Sequence, residues 1–244
     1  MTTLAGRVAI VTGAGRRVGR ALAMALGARG MRVVVHYAGS ADGAQETARL
    51  IQDAGGAASI VQADLRDTAA AERLIDGVVQ REGELFALVN SAAIMLRTPV
   101  GETPHPQWDE MFTLNVRAPY YLSQRAAPAL RAARGAIVNI ADLAAFETWP
   151  AYVPHAMTKA AIVQMTRGLA HALAPEVRVN AVAPGAVLLP DGWSEADAEH
   201  LRGTTPLKRI GRPEDVAHAV VFLLEADFVT GEVIKVDGGR HVRT

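Results

Sequence analysis

The sequence predicts an α/β fold: one doubly wound sheet of seven parallel strands with helices on both faces. Three observations carry this expectation. Short β-rich runs alternate with longer helical patterns along the whole of the 244 residues. The strand candidates are continuous apolar runs rather than alternating ones, as expected where both faces of a sheet are covered. A glycine-rich turn joins the first strand to the first helix. Strand–helix alternation at this pace implies right-handed βαβ crossovers and hence a parallel sheet.

The elements follow in order. Val8 to Val11 reads as a buried strand, and the glycine turn comes next. Val18, Ala21, Leu22, Ala25 and Leu26 then recur at helical spacing, with Gly30 closing that helix. Met31 to Val35 is the second strand, Ala44 to Ala54 a helix, and Ala58 to Val61 the third strand. Leu74, Ile75 and Val78 mark the next helix; Leu85 to Val89 and Ala136 to Ile140 are strands. Trp108, Met111, Phe112, Asn115 and Val116 are expected on one long helix ending near Ala133. Val177 to Val182 and Val233 to Val236 complete the seven strands. No repeat and no dividing linker appears, so residues 1–244 read as a single domain. The proline- and glycine-rich stretch at about 184–206 falls beyond a strand's carboxyl end, where ligands sit in this architecture, and reads as a lid.

Composition narrows the function classes. Lys plus Arg equal Asp plus Glu at 25 each, so no net basic field points to nucleic acid. No apolar stretch reaches the roughly 18 residues that span a membrane. Cysteine is absent, which excludes disulfides and thiolate-held zinc and suits a cytoplasmic protein. The chain begins without the features of a signal peptide. His171, His200, His218 and His241 show no metal-ligand spacing.

The first turn reads Thr12-Gly13-Ala14-Gly15-Arg16-Arg17-Val18-Gly19. A turn between strand and helix lets backbone N–H groups and a helix N-terminus meet a pyrophosphate. The second strand runs into His36-Tyr37, where a site for NAD would carry an acidic residue for the ribose 2′-hydroxyl. Without that carboxylate, and with Arg16, Arg17 and Ser40 nearby, the expected cofactor is NADPH. Asp64-Leu65 follows the third strand, within reach of an adenine, although Asp64 could equally cap a helix. Asn90-Ser91-Ala92 follows the fourth, where small residues let a cofactor pass close to the backbone.

These motifs, with Asn115, Lys159, Pro184-Gly185 and the closing Val236-Asp237-Gly238-Gly239, resemble the short-chain dehydrogenase/reductase family across essentially the whole chain. The resemblance implies a Rossmann-type sheet, a nicotinamide cofactor and a homotetramer. Arg17 in place of the family's usual Gly, His36-Tyr37, and Asp142 in place of a catalytic Ser are similar to the pteridine reductase branch. That likeness implies that Arg17 contacts phosphates and substrate and that Asp142 joins the catalytic group. Val187, after Pro184-Gly185, is expected beside the nicotinamide, over the carboxyl ends of the fourth and fifth strands. Two positions depart from the pattern. His155 stands where the family has its catalytic Tyr, four residues before Lys159, and Met95 stands near the branch's substrate-stacking aromatic.

Residues four apart share a helix face, so Tyr152, His155 and Lys159 are expected along one side. An imidazole is a competent general acid near neutral pH. The expected roles are Asp142 as orienter and charge partner, His155 as proton donor, and Lys159 as ribose clamp. The family resemblance further implies that Asn115 helps to hold a water on the proton path. Tyr152 is the rival donor, and a silent nucleotide-binding sensor is the alternative if His155 cannot act. Asp142 could instead simply cap a loop. Met95, Asp142, Tyr152, Leu188 and Trp193, with Arg17 as the donor for an anionic or heteroaromatic group, are the expected substrate contacts. Trp193 closes over a flat ring or merely packs. The expected substrate is a pteridine or another small carbonyl or imine compound, with a 3-oxoacyl or sugar-type ketone as the alternative.

Overall fold

A computed structural model describes residues 1–188 and 194–242. Its seven strands are β1 Val8–Val11, β2 Arg32–Tyr37, β3 Ala57–Gln62, β4 Ala87–Asn90, β5 Ala136–Ile140, β6 Arg178–Pro184 and β7 Val233–Val236. All pairings are parallel, in the order β3-β2-β1-β4-β5-β6-β7. The order reverses at β1, which registers Val11 against Val35 of β2 on one side and Val89 of β4 on the other. The crevice beyond β1 and β4 is therefore the switch point where doubly wound sheets take their ligands.

The continuous apolar runs divide between two faces because side chains alternate along a strand. Ala9, Val11, Val33, Val35, Val89 and Val138 pack under helices α1 (Arg17–Ala28), α2 (Ala41–Asp53) and α8 (Pro213–Glu225). Val8, Ile10, Val34, Leu88, Ile137 and Val179 pack under α3 (Thr68–Glu82), α5 (Ala118–Ala133) and α6 (Val153–Leu173). Each face is thus closed by three helices. The remaining helices are α4 (His105–Phe112) and α7 (Glu195–Thr204).

Three elements differ from the sequence expectation. The second strand runs two residues further, so His36 and Tyr37 lie within β2. The long helix expected from Trp108 to Ala133 is interrupted by a π turn over Thr113–Arg117, in which Ala118 N–H donates to the Thr113 carbonyl. Pro119 has no N–H to return to the Asn115 carbonyl, and the wider turn absorbs that loss. Tyr152 is not on α6. It lies in a 3₁₀ turn, Pro150–Tyr152, because Pro154 lacks the N–H that would extend α6 back towards Pro150.

Candidate active site

The turn after β1 is shaped by close approach. Gly13 has φ +66°, and a Cβ there would sit 2.9 Å from the Ala92 Cα. A Cβ on Gly19 would sit 2.2 Å from the Gly13 carbonyl oxygen, so α1 packs directly on the turn only because that residue is glycine. Thr12 ties the turn to β4: its Oγ accepts from the Ser91 and Ala92 N–H groups at 2.9 and 3.0 Å. No side chain caps the N-terminus of α1. Its first N–H groups therefore face a cleft of about 700 Å³ with their partial positive charge available to an anion. The cleft is lined by Gly13, Gly15, Arg16, Arg17, Val18, Gly19, His36, Tyr37, Ser40, Asp64, Leu65, Ser91 and Ala92. Arg17 holds φ +52°, a conformation that suits glycine and costs an L-residue roughly 1–2 kcal/mol.

His36 acts on the turn rather than as a charge. Its ring is 1% exposed. Nδ1 accepts from Gly13 N–H at 3.1 Å, which places the proton on Nε2, and Nε2–H donates to the Ala63 carbonyl at 2.9 Å. Burial holds its pKa below the ordinary histidine value, against the opposing pull of the Ala63 bond and Asp64. The residue that replaces an acidic one is thus a neutral bracket between the turn and the end of β3. Asp64 is gripped by Arg66, whose Nη2 lies 2.8 Å from Oδ2 and whose Nη1 reaches Glu110 at 2.7 Å. The Arg66 hydrogen bonds hold the Asp64 carboxyl below the usual carboxylate range.

On α6, His155 and Lys159 are both buried; neither lines the large cleft, and Lys159 borders a small cavity beside it. Lys159 Nζ donates to the Ile140 carbonyl at 2.9 Å. Burial lowers its pKa, and Asp142 pulls part of the way back. His155 Nε2 lies 3.6 Å from Asp142 Oδ2, an ion-pair separation beyond hydrogen-bond range. Both ring nitrogens are buried without a hydrogen-bond partner. Asp142 caps a loop, as one of the two expected readings has it. Oδ1 caps the short turn Leu143–Ala145 by accepting from Ala144 N–H at 2.8 Å, and that bond aims Oδ2 towards the imidazole. Asn115 sits in the π turn. It brackets Ile94 through both side-chain atoms and donates to Thr158 Oγ1 at 3.2 Å, and Thr158 donates to the His155 carbonyl at 2.7 Å. Thr158 thus ties the π turn to the helical turn that carries His155, a link visible in sequence only as a buried hydroxyl three residues on. A cavity of about 10 Å³, the size of one water, is lined by Asn90, Asn115 and Lys159 and shares Leu65, Ala92 and Leu114 with the large cleft.

A second pocket, of about 400 Å³, is lined by Met95, Asp142, Leu143, Trp149, Tyr152, Gly185, Leu188, Leu201 and Arg240, among others. Of the expected substrate contacts, Met95, Asp142, Tyr152 and Leu188 line this one pocket, whereas Arg17 lines the first cleft. Trp193 and part of the expected lid lie outside the described residues. Five expected cofactor neighbours do not line the large cleft: Asn90 and Lys159 line the small cavity, and three lie at or after the end of β6. Val187 is buried against the core and lines a separate cavity with Asp237 and His241. Pro184 closes β6 in a buried position, and Gly185 borders the apolar pocket. Trp149 and Arg240 also line the pocket but were not expected there; neither sits in a motif that spacing could single out.

Comparison with known proteins places these features in context. Residues 13–241 match the family model described as Enoyl-(Acyl carrier protein) reductase. A protein of Streptomyces violaceoruber, named as ketoacyl reductase 2 of the granaticin polyketide synthase, is 39% identical over 96% of either chain. The solved short-chain dehydrogenase/reductase of Serratia marcescens superposes with a TM-score of 0.92 at 32% identity, covering 99% of this chain and all of that one. The angucycline C-6 ketoreductase LanV, solved with bound NADP, also gives 0.92 at 32% identity, covering 99% and 98%.

Proposed function

The chain belongs to the short-chain dehydrogenase/reductase family, and on that premise we propose that it is an NADPH-dependent reductase of a carbonyl group in a small molecule. Supporting the cofactor are the uncapped α1 N-terminus, Arg16 and Arg17 on the cleft, and a neutral His36 where a carboxylate would repel a 2′-phosphate. The NADP held by the angucycline ketoreductase points the same way. When bound, NADPH supplies the hydride that the carbonyl carbon accepts; a proton joins the oxygen, and the products are an alcohol and NADP⁺.

This chain's own residues supply the proton and the positioning. Asp142, fixed by the Ala144 N–H, stands 3.6 Å from His155 Nε2 and acts as its orienter. His155 gives its proton to the substrate oxygen. Lys159 is the ribose clamp, and Asn115 and Thr158 hold the helical turn that bears His155. The observation that carries the reading is the Asp142–His155 pair, 3.6 Å apart, with Asp142 on the wall of the apolar pocket. His155→Ala is expected to abolish turnover while leaving NADPH affinity largely intact, read by loss of nicotinamide absorbance and by direct titration. Unchanged turnover would remove His155 from the mechanism. Lost turnover in Tyr152→Phe with normal cofactor binding would transfer the donor role to Tyr152.

A pteridine substrate is the second reading, favoured by Arg17, His36-Tyr37 and Asp142 and opposed by Met95 in place of a stacking aromatic. Dihydrobiopterin, dihydrofolate and simple ketones assayed in parallel separate the two. No NADPH consumption with any of them would favour a silent nucleotide-binding sensor. We place the protein in the cytoplasm as a homotetramer. Exposed Tyr120, Val153 and Met157 on the α5 and α6 side, and Phe228 and Val242 near the C-terminus, support assembly.

A further inference from the structure

Among the described residues, the apolar pocket has two charged ones in its wall, Asp142 and Arg240. Asp142 belongs to the proton-donating pair. Arg240 comes from the far end of the chain, on the 3₁₀ turn Arg240–Val242, and the fold spends several interactions to deliver it. Asp237 Oδ1 accepts from Gly239 N–H at 2.9 Å, and Oδ2 accepts from His241 N–H and its ring nitrogen at 2.7 and 2.8 Å. Gly185 lets this turn close against the strand end after β6, since a Cβ there would lie 2.7 Å from the Asp237 Cβ. The Arg240 side chain is 17% exposed. Its Nε is buried without a hydrogen-bond partner and lies 3.5 Å from Glu147 Oε2, while that same oxygen takes the Trp149 indole N–H at 3.0 Å.

Nε is closed off and held by the Glu147 ion pair, so a ligand would meet the remaining guanidinium N–H groups of a side chain that lines the pocket. A guanidinium presents a planar fork that matches a carboxylate. An anion in this pocket is repelled by Asp142 and attracted by Arg240, an attraction that Glu147 weakens, so the two wall charges give the pocket a direction. We propose that Arg240 is the specificity-determining anchor of the pocket, and that the enzyme takes carbonyl substrates bearing a carboxylate at the end away from the reacting carbonyl. This rests on reading the pocket as the substrate site.

The test uses an aryl ketone in two forms, 4-acetylbenzoate and its methyl ester, on the full chain saturated with NADPH. The wild type is expected to favour the carboxylate in kcat/KM. Arg240→Met should cut that preference at least tenfold, through KM rather than kcat, and Arg240→Lys should restore part of it. Glu147→Gln, which keeps an acceptor for Trp149 but removes the competing charge, should lower KM for the carboxylate alone. Equal effects on both ketones, or no preference in the wild type, would overturn the anchor. Binding of the two probes to the NADP⁺-loaded protein is measured by calorimetry in the same variants, so the answer does not depend on turnover. Carboxylate binding that weakens tenfold in Arg240→Met supports the anchor even if neither ketone is reduced, a result that would count against the reductase reading alone. Binding indifferent to Arg240, or absent, overturns the anchor whatever the activity.

Discussion

Replacing His36 by Leu tests the claim that this ring is a neutral bracket and not a phosphate-binding charge. The substitution leaves Gly13 N–H and the Ala63 carbonyl without their ring partners. Both residues are half-buried, so water recovers part of the loss, and about 1 kcal/mol each, about 2 kcal/mol in all, is expected at pH 8. In a chain of 244 residues that corresponds to a Tm lower by roughly 4–8 °C. The pH dependence is the sharper part. The folded pKa of His36 lies below its unfolded value near 6.5, because burial disfavours the imidazolium. Above that value both states are neutral at this position, and it adds no pH dependence. As pH falls through it, the unfolded chain takes up a proton that the folded chain refuses, so the wild type loses stability, at a limiting slope of about 1.4 kcal/mol per pH unit. The loss levels off once the folded ring itself protonates. The Leu variant lacks this titration and shares all others. Urea unfolding of both proteins between about pH 5 and pH 8 should therefore show the stability gap narrowing on acidification. A gap constant over that range, or one that widens towards acid, would mean that the folded ring carries its proton and would refute the bracket.

Three further outcomes follow from the same geometry. Arg17→Gly removes a left-handed arginine, so stability is expected to stay within about 1 kcal/mol because glycine's extra chain entropy offsets the relief, while NADP⁺ binds about tenfold more weakly in a titration. Gly19→Ala drives a methyl group into the Gly13 carbonyl and should cost about 2–3 kcal/mol in urea unfolding together with a loss of NADP⁺ affinity. Arg178→Met removes donors to the Leu223, Leu224 and Ala226 carbonyls at the C-terminal end of α8; a loss of about 3 kcal/mol is expected, with kcat unchanged, since α8 lies on the opposite sheet face from α6.

The sequence by itself determined the sheet, because strand runs such as Val8–Val11, Ala136–Ile140 and Val233–Val236 are local patterns of apolar residues ended by turn chemistry. It determined most of the cleft wall for the same reason: Gly13, Arg17, Asp64 and Ser91 each follow a strand end, and the parallel topology gathers strand ends at one edge. It also put Asp142, His155 and Lys159 forward as a group, but their spacing held no distance. Tertiary structure alone decided which oxygen of Asp142 caps a turn and which faces the imidazole. It alone set the tautomer of His36, since that depends on Gly13 and Ala63, partners 23 and 27 residues away. It took Tyr152 off the α6 face through a missing proline N–H, and it brought Arg240 to a pocket otherwise built from residues 95–201. Periodicity reports what a residue needs from its near neighbours along the chain; a buried charge or an imidazole is governed by groups that only folding brings alongside it.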